Sequence, residues 1–210
     1  MDEIVLHKVA AFVTRVRNDQ LEILVFRHPY AEGVQFPAGT VEEGEVFEAA
    51  GLREAQEETG LKNLKMIAHL GTMNESIPAN MVAMVRTTRV YARPDVTSFD
   101  WAQLRNGFWV ERLREQNGFT QVDWSEYDQH PHGTYITYRI TGWVPNHTVT
   151  KKQQRHFYHL TVDGDTEETW TVFIDHHHYE LFWVPLASLD DLNFYQKVWW
   201  DWVRSQGAFR

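Results

Sequence analysis

The sequence predicts a mixed α/β sandwich, and three observations carry that prediction. Short β-branched and aromatic stretches recur towards both ends of the chain, one conspicuously acidic helix follows the first of them, and the final residues form an amphipathic helix. The strands do not alternate regularly with helices, as a doubly wound fold would require. Of the 210 residues 43% are hydrophobic and nine are tryptophan, enough to build a core.

In chain order, "LHKVAAFVTRV" (6–16) and "LEILVFRH" (21–28), joined by "RNDQ", predict a hairpin or neighbouring strands. "GVQFPAGTVE" is extended up to Pro37 and then turns at Gly39. From Val46 to Thr59 no proline interrupts, and Gly60 stands where a helix C-cap glycine belongs. "LKMIAHLGTM" (64–73) has strand character. Further on, "MVRTTRVYARP" and "HGTYITYRITGWVP" look like strands, whereas the middle of "SFDWAQLRNGFWVERLREQNGF" has helical periodicity. "RHFYHLTV" (155–162), "TWTVFI" (169–174) and "ELFWVPL" (180–186) predict further strands. In "SLDDLNFYQKVWWDWVRSQ", Ser188 with Asp191 resembles a capping box, and Leu192, Tyr195, Trp199, Trp202 and Val203 share one helical face.

Composition narrows the chemistry. The chain has no cysteine, which removes disulfides, thiolate zinc sites and a thiol nucleophile. A formal charge of −9 argues against binding duplex nucleic acid, which needs a basic footprint. It leaves a small phosphorylated substrate open, because a metal ion can neutralise phosphates locally. No apolar run approaches membrane-spanning length, and "MDEIVLHKVA" has no basic segment leading into an apolar one; a soluble cytoplasmic protein is the expectation. Neither G-x-G-x-x-G nor G-x-x-x-x-G-K-[ST] occurs.

The segment "GTVEEGEVFEAAGLREAQEETGL" (39–61) concentrates the acids. At helical pitch Glu54, Glu57 and Glu58 fall within an arc of roughly 100°, at i, i+3 and i+4. Gly51, Leu52, Ala55 and Thr59 form a small-residue face suited to packing on a sheet. An acidic helix is ordinarily a solvated face, yet like charges at i and i+4 oppose each other unless something compensates. A hard divalent cation would do so, since Mg²⁺ and Mn²⁺ prefer oxygen ligands.

Spacing decides between these readings. The segment fits G-x5-E-x7-R-E-U-x-E-E-x-G-U, where U is bulky and aliphatic, through Gly39, Glu45, Arg53, Glu54, Glu57, Glu58, Gly60 and Leu61. Ala55 departs mildly at the first U position, and the usual "PGG" before the segment is "PAG" here. Seven identities at fixed offsets should arise by chance in about one chain of this length in 10⁵–10⁶. The pattern resembles the signature of the Nudix hydrolases. That resemblance implies a Nudix-like α/β/α sandwich with a mixed sheet and a Mg²⁺- or Mn²⁺-dependent pyrophosphohydrolase. The substrate class it implies is a nucleoside diphosphate linked to another moiety. It further implies that Glu54, Glu57 and Glu58 hold metal with the backbone carbonyl of Ala38. Arg53 and Glu45 would orient the glutamates, and Glu54 would be the general base.

The same resemblance assigns residues 1–73 and 153–210 to the Nudix domain. Residues 74–152 are then an inserted α+β segment that caps the pocket, builds a homodimer interface or only stabilises the fold. Some relatives supply an auxiliary acid about six residues before the Trp of the "WVPL" strand; here that count reaches His177, with Asp175 and Glu180 near by. An exposed polar loop is the plainer reading of "DHHHYE". His156 and His159 lie on a presumed strand, where one should face the core or cleft, and Phe157 and Tyr158 are read as packing. "WSEYDQHPHGTY" lacks metal-ligand spacing despite its acids and histidines. A non-catalytic nucleotide-binding sensor or interaction module is the competing expectation, although such relatives usually lose one or more of these acids.

Overall fold

The computed structural model describes residues 4–29, 32–128, 133–174 and 177–209. Strand β1 (Leu6–Arg17) turns directly into β2 (Gln20–Arg27), Arg17 facing Gln20 across a two-residue loop. Asn18 and Asp19 both adopt positive φ, the conformation that matches a tight hairpin to strand twist. Then come β3 (Val34–Gln35), β4 (Ala38–Thr40), α1 (Phe47–Thr59) and β5 (Leu64–Ser76). Next follow β6 (Met81–Met84), β7 (Thr88–Tyr91), β8 (Asp100–Leu104), β9 (Trp109–Gln116), β10 (Phe119–Tyr127), β11 (Ile136–Pro145) and β12 (Val149–Thr150). The chain closes with β13 (Lys152–Val162), β14 (Thr169–Ile174), β15 (His177–Pro185) and α2 (Phe194–Ser205). No helix among the described residues is long and apolar enough to cross a membrane.

Two compact units result, one of residues 9–72 with 156–210, the other of residues 1–8 with 73–155. Among the described residues the strand order of the first sheet is β14-β15-β2-β1-β13-β5, with β3 beside β2 and β4 beside β1. Alternation along β13 assigns each of its faces to a helix. Tyr158 and Leu160 join Val13, Leu24, Leu181 and the buried Ala50 and Ala55 of α1. A Cβ on Gly51 would lie 2.8 Å from Cδ2 of Tyr158, so helix and sheet meet closely where the helix has no side chain. Phe157 points the other way; its ring is 6.0 Å from Phe12, whose ring is 5.7 Å from Trp200 of α2. The first unit is therefore the predicted α/β/α sandwich.

The last helix corrects two expectations. Its N-cap is Asn193, whose side chain accepts the Tyr195 N–H, and not Ser188. The reason is tertiary: the Val34 N–H donates to the Asp191 carbonyl and the Asn193 N–H to the Val34 carbonyl, which holds this stretch extended against β3. The buried ridge is Gln196, Trp200 and Val203, and Tyr195 is 72% exposed. Gln196 fixes the chain before β4, because its amide accepts from the Phe36 N–H at 2.5 Å and donates to the Phe36 carbonyl at 3.2 Å.

The second unit corrects the expectation of an inserted α+β segment. Its described residues contain no α-helix; they form a sheet in the order β12-β6-β9-β10-β11-β7-β8 over a core of Val82, Met84, Val90, Val110, Val122 and Ile140. The stretch with apparent helical periodicity is β8 and β9. Asn117 and Gly118, at φ 50° and 76°, make a two-residue hairpin turn between Gln116 and Phe119. An Asn-Gly pair is a strong hairpin signal, and it outranks a loose periodicity of apolar residues.

Candidate active site

The acidic segment folds so that α1 stands over β4 with Glu54 and Glu58 directed at that strand's backbone. The Ala38 N–H donates to Glu58 Oε2 at 2.8 Å, and the Thr40 N–H to Glu54 Oε1 at 3.2 Å. Gly39 lies between these two peptides. A Cβ there would come within 2.0–2.2 Å of the Glu54 carboxylate. The glycine is thus required for space more than for a turn. Gly39→Ala is expected to push Glu54 aside, lowering turnover by at least tenfold with little change in thermal stability; unchanged kinetics would contradict this.

Arg53 organises the acids. Its Nε and Nη2 donate to the two oxygens of Glu45 at 2.8 and 2.9 Å. Nη1 donates to Glu54 at 2.9 Å and to Glu57 at 3.1 Å, and Nη2 also reaches the Thr40 carbonyl at 3.1 Å. The bidentate Glu45 pair is a geometry that a planar guanidinium favours. The Glu45 carboxyl is held below its ordinary value chiefly by its hydrogen bond to Arg53. Glu54 is shifted the other way: burial raises its pKa, and the adjacent Arg53 opposes that rise without cancelling it. Both are physical consequences of where α1 is seated, since the Glu54 side chain is only 14% exposed.

The structure thus brings together Glu45, Arg53, Glu54, Glu57, Glu58 and the Ala38 peptide. Among the described residues no three His, Asp or Glu side chains converge as a metal cage. Glu54 and Glu57 close instead on Nη1 of Arg53. The donors are nevertheless all oxygens, and Gly39 lets the Glu54 carboxylate lie directly against the β4 backbone, a lining that suits a hard divalent cation.

His177 begins β15, half-buried, its ring 5.8 Å from that of His28, while Asp175 lies outside the described residues. Glu180 is not brought to the acidic cluster; it pairs with Arg27 at 3.2 Å and alternates with the core-facing Tyr179 and Leu181. Both strand histidines are engaged structurally. His156 stacks on Phe47 with ring centroids 4.0 Å apart and contacts the Thr72 hydroxyl, and His159 contacts the Thr14 hydroxyl. His130 and His132 of the "WSEYDQHPHGTY" stretch also lie outside the described residues. Sequence reasoning missed Thr40, which serves the site through both backbone groups, and Gln196, which anchors Phe36. No residue-type signal marks a backbone donor, and 160 positions separate Gln196 from its partner.

A family model described as a NUDIX domain matches residues 6–129. Two solved structures are similar in fold. One is an Ap4A hydrolase of C. elegans in a binary complex, with 14% identity over 98% of this chain and 97% of that one, at a TM-score of 0.49. The other is the NUDIX domain of Shewanella oneidensis NrtR complexed with ADP ribose, with 13% identity over 98% and 90%, at a TM-score of 0.46. No curated protein matches the chain.

Proposed function

This chain belongs to the NUDIX family, whose hydrolases act on pyrophosphate bonds, and from that premise we propose that it is a divalent-metal-dependent pyrophosphohydrolase. Its substrate is a nucleotide-type molecule, a nucleoside diphosphate linked to a further group. The observation that carries this reading is the ridge of Glu54, Glu57 and Glu58 set against the Ala38–Thr40 backbone. Two of the three acids are tied to that strand, and the single guanidinium of Arg53 offsets only part of the charge on the ridge.

Glu54, Glu57 and Glu58, with the Ala38 carbonyl, would hold Mg²⁺ or Mn²⁺; when bound, the ion neutralises the diphosphate and acidifies a water. Glu45 and Arg53 orient the glutamates through the bidentate pair. Glu54 would accept the proton of the attacking water. His177 and Glu180 are auxiliary candidates only, and Glu180 pairs with Arg27.

The test is a screen of nucleoside triphosphates, ADP-ribose, dinucleoside polyphosphates, coenzyme A and nucleotide sugars, with products identified by mass. Cleavage between phosphorus atoms that requires added Mg²⁺ or Mn²⁺ and rises towards alkaline pH is the expected result. Full activity in excess chelator would overturn the reading. Metal-dependent nucleotide binding without turnover would favour the sensor alternative, which draws on Arg53 already neutralising Glu54 and Glu57.

The two shifted carboxylates act oppositely on stability. Glu45, with its pKa depressed, stabilises the fold above its ordinary 4.5, and that contribution is lost as pH falls through the lowered value. Glu54, with its pKa raised above 4.5, contributes stability below that value, and this is lost as pH rises through the folded-state pKa. The rate follows the ionised form of Glu54, so an acid limb is expected.

A further inference from the structure

In the second unit one face of the sheet is lined by side chains that its apolar core does not use. Met81, Trp109, Glu111, Asp123, Tyr127 and Arg139 border a pocket of about 420 Å³, which Trp124 also lines. Strand register makes them neighbours: Glu111 stands opposite both Met81 and Asp123, and Asp123 opposite Thr141.

The Trp109 ring is braced from outside the pocket. The Trp109 indole N–H donates to Gln153 Oε1 at 2.8 Å, and the buried Gln153 is itself held by Glu75 at 2.5 Å. A ring fixed in this way presents its surface with little ordering left to lose on binding.

The charge at the pocket selects the ligand's sign. Asp123 is buried and satisfied, with Arg139 Nε at 2.8 and 3.1 Å from its two oxygens and the Thr141 hydroxyl on one of them. Glu111 is exposed, so two carboxylates face one guanidinium and the rim is net negative. An anion is disfavoured there. A hard metal ion is disfavoured too, because the Asp123 oxygens are already engaged and Glu111 alone cannot replace a hydration shell. A weakly hydrated cation suits such a lining, since electron-rich ring faces attract it and a nearby carboxylate adds to that attraction.

We propose that this pocket binds an organic cation of the quaternary or alkylated ammonium class, with Trp109 and Tyr127 supplying aromatic surface and Glu111 supplying charge. The site belongs to the second unit alone and does not depend on the hydrolytic reading of the first.

The experiment uses the full chain, with choline as probe and its neutral tert-butyl analogue as control. Indole N–H resonances are followed in proton–nitrogen correlation spectra, and that of Trp109 is assigned by its loss in Trp109→Phe. Choline should shift the Trp109 resonance saturably, the neutral analogue should not, and Glu111→Gln should weaken choline binding about threefold or more. Glu111 is exposed, so its variant keeps the test valid if Trp109→Phe does not fold. No response to choline, an equal response to both compounds, or full-affinity binding by Glu111→Gln would each overturn the proposal.

Discussion

Glu54→Gln, Glu57→Gln and Glu58→Gln are each expected to lower kcat/KM by about 10²–10⁴-fold while the fold persists. The two effects separate because glutamine preserves the contacts that position these side chains. An amide oxygen at position 58 can still accept the Ala38 N–H, and one at position 54 the Thr40 N–H and the Arg53 guanidinium. What is lost is the negative charge. At position 54 that charge is already unfavourable to the folded chain, since burial raises the pKa and Glu57 adds like-charge repulsion. Thermal stability of Glu54→Gln should therefore stay within about 1 kcal/mol of wild type or rise above it. Steady-state kinetics beside thermal unfolding will check both halves. Equal turnover by wild type and all three variants would remove the catalytic role from this helix.

The second large effect belongs to Arg53→Ala, which should cost about 2–4 kcal/mol and most of the activity. The figure is set below that of a fully buried pair because the Arg53 and Glu45 side chains are 24% and 16% exposed. Removal leaves Glu45, Glu54 and Glu57 facing one another with no cation between them. Two signatures distinguish this from simple unfolding. Added Mg²⁺ or Mn²⁺ should raise the Tm of the variant more than that of wild type, because the ion then supplies the missing positive charge. In whatever activity remains, the acid limb should move to higher pH, because Arg53 opposes the rise in the Glu54 pKa. Arg53→Lys should recover only part of the stability, since an ammonium cannot reproduce the two-pronged contact with Glu45. A Tm response to metal no larger than that of wild type would contradict this account.

The acidic helix was legible because its chemistry is local. Within one helix the turn angle fixes the direction of each side chain, so Glu54, Glu57 and Glu58 share a ridge wherever the helix is placed, and the glycine at position 60 ends it as expected, at φ 73°. The first hairpin was legible for the same reason. The helical periodicity of residues 98–119 misleads, although the decisive residues, Asn117 and Gly118, stand in the sequence. The start of α2 could not be read locally at all, because the contact of 190–193 with β3 overrides the capping pattern at Ser188.

By itself the sequence determined which residues share a helix face, where that helix stops, and that the chain carries a spacing of acids suited to a hard cation. Only the tertiary structure decided what those acids face: the Ala38–Thr40 backbone, the space at Gly39 that the Glu54 carboxylate fills, and the anchoring of Phe36 by Gln196. The division follows from range. Spacing along one helix converts into direction through a fixed pitch, whereas the approach of segments more than 100 residues apart depends on how whole faces pack, which no short pattern encodes.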